Sequence, residues 1–202
     1  MSLRAAGVTV SFGGTTVLDA IDLEAPAAAI TGITGPSGSG KTTLLRVLAG
    51  LQTPDRGTVH YGGAAVAPPG SIALLAQHPR AVCNPRWTLR RIIGEPAAIR
   101  GEPDTVDALA ARVGLDSGLL QRYPGQVSDG QLQRACLGRV LGQSAGTVLC
   151  DEPTAMLDPI ASASVRGLLR EISAAGAVVV VVSHDPELIA ALADRQLSLS
   201  PG

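Results

Sequence analysis

Two periods of apolar residues alternate along the chain. Residues 3–10 and 16–23 read as two strands joined around Gly13-Gly14, which predicts a hairpin. Residues 29–34 are a short apolar strand that runs into a glycine-rich loop, and 41–49 then repeat with helical spacing. Further short strands are expected at 58–61 and 71–76. From 89 to 143 the pattern is mainly helical, with breaks expected at Gly94, Gly101, Gly114 and Pro124-Gly125. Residues 147–150 and 177–183 are continuous apolar runs, the composition of strands covered on both faces of a parallel sheet. Helices are expected over 159–174 and 186–193, and a last strand at 196–200. Strands alternating with helices make the class α/β, in a single domain over 1–202 with an inserted helical subdomain at about 88–144.

Composition narrows the functional classes. The longest apolar run, 177–182, is far too short to cross a bilayer, and no charged-apolar-small pattern marks the first residues as a secretion signal. The expected location is therefore the cytosol. A formal net charge of -1 with no basic stripe argues against a nucleic-acid partner. Cys83, Cys136 and Cys150 form no C-x-x-C pair, so three reduced thiols are expected in place of a disulfide framework or zinc site. Aromatic residues are only 2% of the chain, so the core must be built from small aliphatic side chains.

The chemistry is concentrated in a few short segments. Gly35-Pro36-Ser37-Gly38-Ser39-Gly40-Lys41-Thr42 fits G-x-x-x-x-G-K-[ST] between a predicted strand and a predicted helix. Its glycines let successive N–H groups point inward at a phosphate, with the helix N-terminus behind them. Lys41 would reach the β- and γ-phosphates, and the Thr42 hydroxyl, followed by Thr43, would ligate Mg²⁺. Alone, this loop says only nucleotide phosphate. Val148-Leu149-Cys150-Asp151-Glu152 is an apolar strand that ends in two carboxylates. Asp151 would reach the magnesium from the sheet edge, and Glu152 would orient and deprotonate the attacking water. Acidic pairs after strands also simply cap helices; the phosphate loop upstream favours the catalytic reading.

Val127-Ser128-Asp129-Gly130-Gln131 followed by Gln133-Arg134 resembles the signature sequence of ABC ATPases, and it lies between the phosphate loop and Asp151 as in that family. Gln77 after an apolar strand resembles the family's Q-loop, a magnesium and water contact. Ala155-Met156-Leu157-Asp158 resembles its D-loop, and His184 in Val182-Ser183-His184-Asp185 its switch histidine. Phe12 sits where the family stacks an aromatic on adenine. The resemblance covers nearly the whole chain. It implies a P-loop NTPase core with a parallel sheet, an N-terminal antiparallel β subdomain and an inserted helical subdomain. ATP and Mg²⁺ would be the cofactors, each nucleotide held between the phosphate loop of one subunit and Ser128, Asp129, Gly130 and Gln131 of another. Implied partners are a second ABC ATPase subunit, transmembrane permease subunits and, for an importer, an extracytoplasmic substrate-binding protein. The chain would then lie peripherally on the cytoplasmic face of the membrane.

A narrower likeness is carried by the stretch from Gln77 and Pro79 to Asn84-Pro85-Arg86-Trp87-Thr88, which is similar to ATPases of peptide and nickel importers. Those pair two different ATPase chains, so the second subunit is expected to be a different one. An exporter is the alternative within transporters. Soluble relatives that act on ribosomes or DNA carry tandem copies or long coiled-coil insertions, and neither is seen in these 202 residues. A regulatory subunit with little turnover is countered by Lys41, Glu152 and His184, but kept open by Asp129, which replaces the first signature glycine. At ~5 Å and an effective dielectric of ~20, a carboxylate there would repel a phosphate charge by about 3 kcal/mol. One weakened site in a heterodimer is the expectation; an Asp129 turned outward as a helix cap is the alternative. After His184 relatives usually continue through more strands, and the C-terminal extension typical of peptide-importer ATPases is not found here.

Overall fold

The computed structural model describes residues 2–200. The first two strands, β1 (Ser2–Phe12) and β2 (Thr15–Pro26), form the hairpin expected around Gly13-Gly14, and it is antiparallel. A fourth strand, β4 (Arg56–Tyr61), adds to the free edge of β1, giving a three-stranded sheet of order β2-β1-β4. Between them in sequence, β3 (Ala29–Thr34) enters a different sheet and feeds the helix α1 (Lys41–Leu48). That second sheet is parallel and ordered β5-β6-β7-β3-β8, with β5 (Ile72–Leu75), β6 (Thr147–Asp151), β7 (Val178–Val182) and β8 (Arg195–Ser198).

The valine run of β7 shows why a parallel strand needs no alternation. All five residues are fully buried. Val179 and Val181 face one core with Val148 and Cys150 of β6, while Val178, Val180 and Val182 face a second core with Leu149. The first core is closed by α3 (Leu89–Arg100), α4 (Val106–Arg112), α5 (Asp129–Gln143) and α6 (Pro159–Ala174). The second is closed by α1 and the antiparallel sheet. The parallel sheet is thus the middle layer, and its C-terminal edge is where β3 and β6 deliver their loops.

Helices occupy most of residues 79–143, beginning with the short α2 (Pro79–Val82). The break expected at Gly94 is not there. Helix α3 runs through Gly94 and Pro96, because Ile92, Ile93 and Ala97 bury one face and this packing outweighs the local cost of both residues. It ends at Gly101, which adopts a left-handed conformation. The last helix, α7 (Pro186–Leu192), packs on β3. No helix among the described residues is long and apolar enough to cross a membrane.

Candidate nucleotide site

The loop after β3 is held from within. Lys41 Nζ donates to the carbonyls of Gly35 and Pro36, both at 2.7 Å, and Ser39 N donates to Pro36 O at 3.2 Å. Ser39 is buried. Gly40 caps α1 with φ 87° and contributes no side-chain acceptor, so the first-turn N–H groups of α1 remain available to an anion. A Cβ on Gly40 would also meet Leu18 Cδ2 at 2.7 Å and Val17 O at 2.9 Å, so glycine is required there twice over.

Asp151 lies at the end of β6, and its Oδ2 accepts from Thr42 Oγ1 at 2.8 Å across 109 residues. Burial holds the Asp151 carboxyl above the usual carboxylate range; the Thr42 hydroxyl pulls the other way, and the neighbouring Glu152 charge adds to the rise. A hydroxyl and a carboxylate side by side at the phosphate loop are hard oxygen donors suited to Mg²⁺. Glu152, also buried, takes a left-handed backbone conformation at φ 50°, uncommon for a residue with a side chain. Its N–H donates to Val182 O at 2.9 Å, which ties it to the neighbouring strand. Glu152 Oε1 accepts from His184 N at 2.7 Å and lies 2.7 Å from His184 Nδ1, while Oε2 accepts from Ser183 Oγ at 2.9 Å. The carboxylate is fixed by three groups of one loop, and the imidazole is oriented by it in turn.

Ser37, Gly38, Gly40, Lys41, Thr42, Thr43, Gln77, Asp151, Glu152 and His184 line one cleft of about 560 Å³. Val17 of β2 joins them, and no motif marked it. Gly35, Pro36 and Ser39 shape the loop without lining the cleft. Phe12 is half exposed at the end of β1, outside the cleft lining and outside both cores.

Ser128, Asp129, Gly130 and Gln131 stand elsewhere, at the N-terminus of α5. Ser128 is the cap: its Oγ accepts from Gln131 N at 3.2 Å and Gln131 Oε1 accepts from Ser128 N at 2.9 Å, a reciprocal capping box. A Cβ on Gly130 would sit 3.0 Å from Met156 O, so this helix start abuts the loop at 155–158. Asp129 is not the cap, and its charge is not isolated: its Oδ1 accepts from Arg80 Nε at 2.5 Å. Neither expectation for Asp129 foresaw that pairing. Cys83 and Cys136 bring their sulfurs to 3.3 Å, whereas burial pushes the Cys150 thiol up to about 12, the behaviour of a structural thiol.

A family model described as ABC transporter matches residues 18–155, from the hairpin through the carboxylates of the cleft. The chain belongs to the ABC transporter family. An Fe(3+) ions import ATP-binding protein of Rhodococcus jostii is 35% identical over 210 aligned positions, covering 100% of this chain and 60% of that protein. The L-cystine transport system ATP-binding protein of Escherichia coli is 35% identical over 209 positions, covering 95% of this chain and 83% of its own length. The chain thus spans about 60% of the length of the iron-import proteins it matches. Among solved structures, an ATP-binding subunit of an ABC transporter superposes with TM-score 0.89 at 20% identity, over 100% of this chain and 88% of that one. A dimeric bacterial ABC transporter cassette superposes with TM-score 0.88 at 23% identity, over 98% and 94%. The ABC ATPase fold expected from the motifs, with its parallel core and antiparallel N-terminal sheet, is the fold found. The relatives import iron, cystine and, for an SsuB protein of Rhodopseudomonas palustris, aliphatic sulfonates; they do not single out the peptide and nickel group.

Proposed function

We propose that this chain binds and hydrolyses ATP to drive import across a membrane, as one of two cassettes that close face to face. The observation that carries the reading is the cleft in which Lys41, the Thr42–Asp151 pair and the Glu152–His184 pair converge. The loop of residues 35–42 binds the phosphates through N–H groups and Lys41. Bound Mg²⁺, held by Thr42, Asp151 and Gln77, would offset the charge gathering on the phosphate oxygens. Glu152 accepts the proton of the attacking water, and Ser183 and His184 keep its carboxylate aimed. Phe12, half exposed at the end of β1, stacks on adenine. Ser128, Asp129, Gly130 and Gln131 serve the nucleotide of the other cassette, since they lie outside this chain's own cleft.

Relatives that import iron and cystine favour import over export. The finer reading, a peptide, nickel or metal-chelate importer with a different ATPase chain as second subunit, rests on the stretch 77–88. Permease subunits would hold the chain at the cytoplasmic face, and an extracytoplasmic binding protein would deliver cargo. The test is to isolate the tagged chain from detergent-solubilised membranes, identify what accompanies it, and assay ATP hydrolysis. Permease subunits and an ATPase activity lost in Glu152→Gln are expected. Ribosomes with no membrane protein would overturn the transport reading.

A further inference from the structure

Asp129 occupies the first turn of α5, where a negative charge suits the helix but competes with any phosphate approaching the same N–H groups. Arg80 answers that charge in an unusual way. Its guanidinium divides three bonds among three acceptors: Nε to Asp129 Oδ1 at 2.5 Å, Nη1 to Pro124 O at 2.7 Å and Nη2 to Val127 O at 2.8 Å. The ion pair itself is half exposed and by that measure contributes little. The two carbonyl bonds matter more, because they fix the planar fork and with it the direction of the Asp129 carboxylate. Both carbonyls belong to the segment that leads into Ser128, so one side chain sets the path of the signature and neutralises its departure from glycine. Arg80 also lies only three residues beyond Gln77, which lines this chain's own nucleotide cleft.

We infer that Arg80 is a positioning residue that makes an Asp129-bearing signature competent: it holds the carboxylate aside so that the start of α5 can receive the phosphate of the opposing cassette. This rests on the reading of 128–131 as a partner-facing phosphate site. The role belongs to Arg80 only because Asp129 is present, so removing Asp129 should remove the need for it.

The test uses the tagged full chain purified with its accompanying subunits, assayed for steady-state ATP hydrolysis, with ATP binding measured separately on the isolated chain. Arg80→Ala is expected to lower kcat about tenfold while the isolated chain's Kd for ATP moves less than about twofold. Adding Asp129→Gly should bring kcat back to within about threefold of the parent. Arg80→Lys, which keeps the charge but not the fork, should fall between parent and Arg80→Ala; it also keeps the test open if the alanine variant folds poorly. An undiminished kcat in Arg80→Ala, or an equal loss with and without Asp129→Gly, overturns the inference. Ser128→Arg is the control for the underlying reading. Full turnover in that variant would mean that the start of α5 receives no phosphate at all, a failure of the signature assignment and not of Arg80 alone.

Discussion

The cleft around Lys41 and the start of α5 are both candidate phosphate sites, yet they are built in opposite ways. The cleft draws on β2, the loop after β3, the loop after β5, and the ends of β6 and β7, so its contacts join residues more than 100 positions apart. Its two carboxylates are buried and each has a fixed partner. The start of α5 is local: Ser128 and Gln131 cap each other within one turn, and among the described residues the only long-range side-chain anchor of the first-turn carboxylate is Arg80. A site assembled by the sheet is rigid wherever the sheet is formed. A site assembled by one turn depends on its neighbour, and here that neighbour belongs to the segment following Gln77.

Removing the base from the cleft should give the largest effect. Glu152→Gln is expected to lower kcat by about 10²–10⁴-fold, the usual worth of a positioned general base, while ATP affinity stays within a few-fold of the parent. The amide still offers an oxygen to His184 N, so the loop should hold its shape. Turnover close to that of the parent would remove Glu152 from the chemistry.

Much of this cleft was legible in the sequence, and the reasons are physical. The phosphate loop is a contiguous backbone device, so its eight residues could be read in order. Asp151 and Glu152 follow an unbroken apolar run, and that run predicts the sheet edge that presents them. The left-handed backbone of Glu152 and its bond to Ser183 were not legible, because they arise only when β6 and β7 lie side by side. Val17 was missed for a related reason: it meets the phosphate loop through Gly40, by a packing contact with no motif. The Gly94 break failed because burial of Ile92 and Ile93 overrides local helix propensity. Arg80 could not have been found, since its acceptors lie 44–49 residues away on a path set by tertiary structure.

The next two effects concern binding within the cleft. Lys41→Ala should raise the Kd for ATP by about tenfold or more, the loss of charge-assisted bonds to the phosphates. Isothermal titration with the isolated chain measures it; an unchanged Kd would contradict the phosphate-cradle reading. Phe12→Ala should cost less, about 1 kcal/mol or roughly fivefold in Kd, the low end for base stacking on a half-exposed ring. Because Phe12 belongs to neither core, its removal should leave the thermal midpoint nearly unchanged. A large loss of stability with unaltered affinity would make Phe12 a packing residue.

The smallest expected effect tests whether the cleft's rigidity has a cost, and it concerns Asp151. Burial is the main cause that lifts its carboxyl above the ordinary range, with the Thr42 hydroxyl opposing and the Glu152 charge assisting. A raised carboxyl means that the folded chain binds more protons than the unfolded chain between the ordinary Asp value and the raised one. The stabilisation from that extra proton is complete below the unfolded value of about 3.9 and is lost as pH rises through the folded value. The ionised form of Asp151 therefore costs stability in the absence of nucleotide. Asp151→Asn should melt slightly higher than the parent at pH 7 without nucleotide, and the gap should close as pH falls toward 4. Adding ATP and Mg²⁺ should reverse the order, because the parent gains a metal-bound nucleotide that the amide holds poorly. A lower midpoint for Asp151→Asn without nucleotide at pH 7 would show that the Thr42 bond outweighs burial. The carboxylate would then be a structural asset of the sheet edge, and the contrast with the start of α5 would lie in geometry alone.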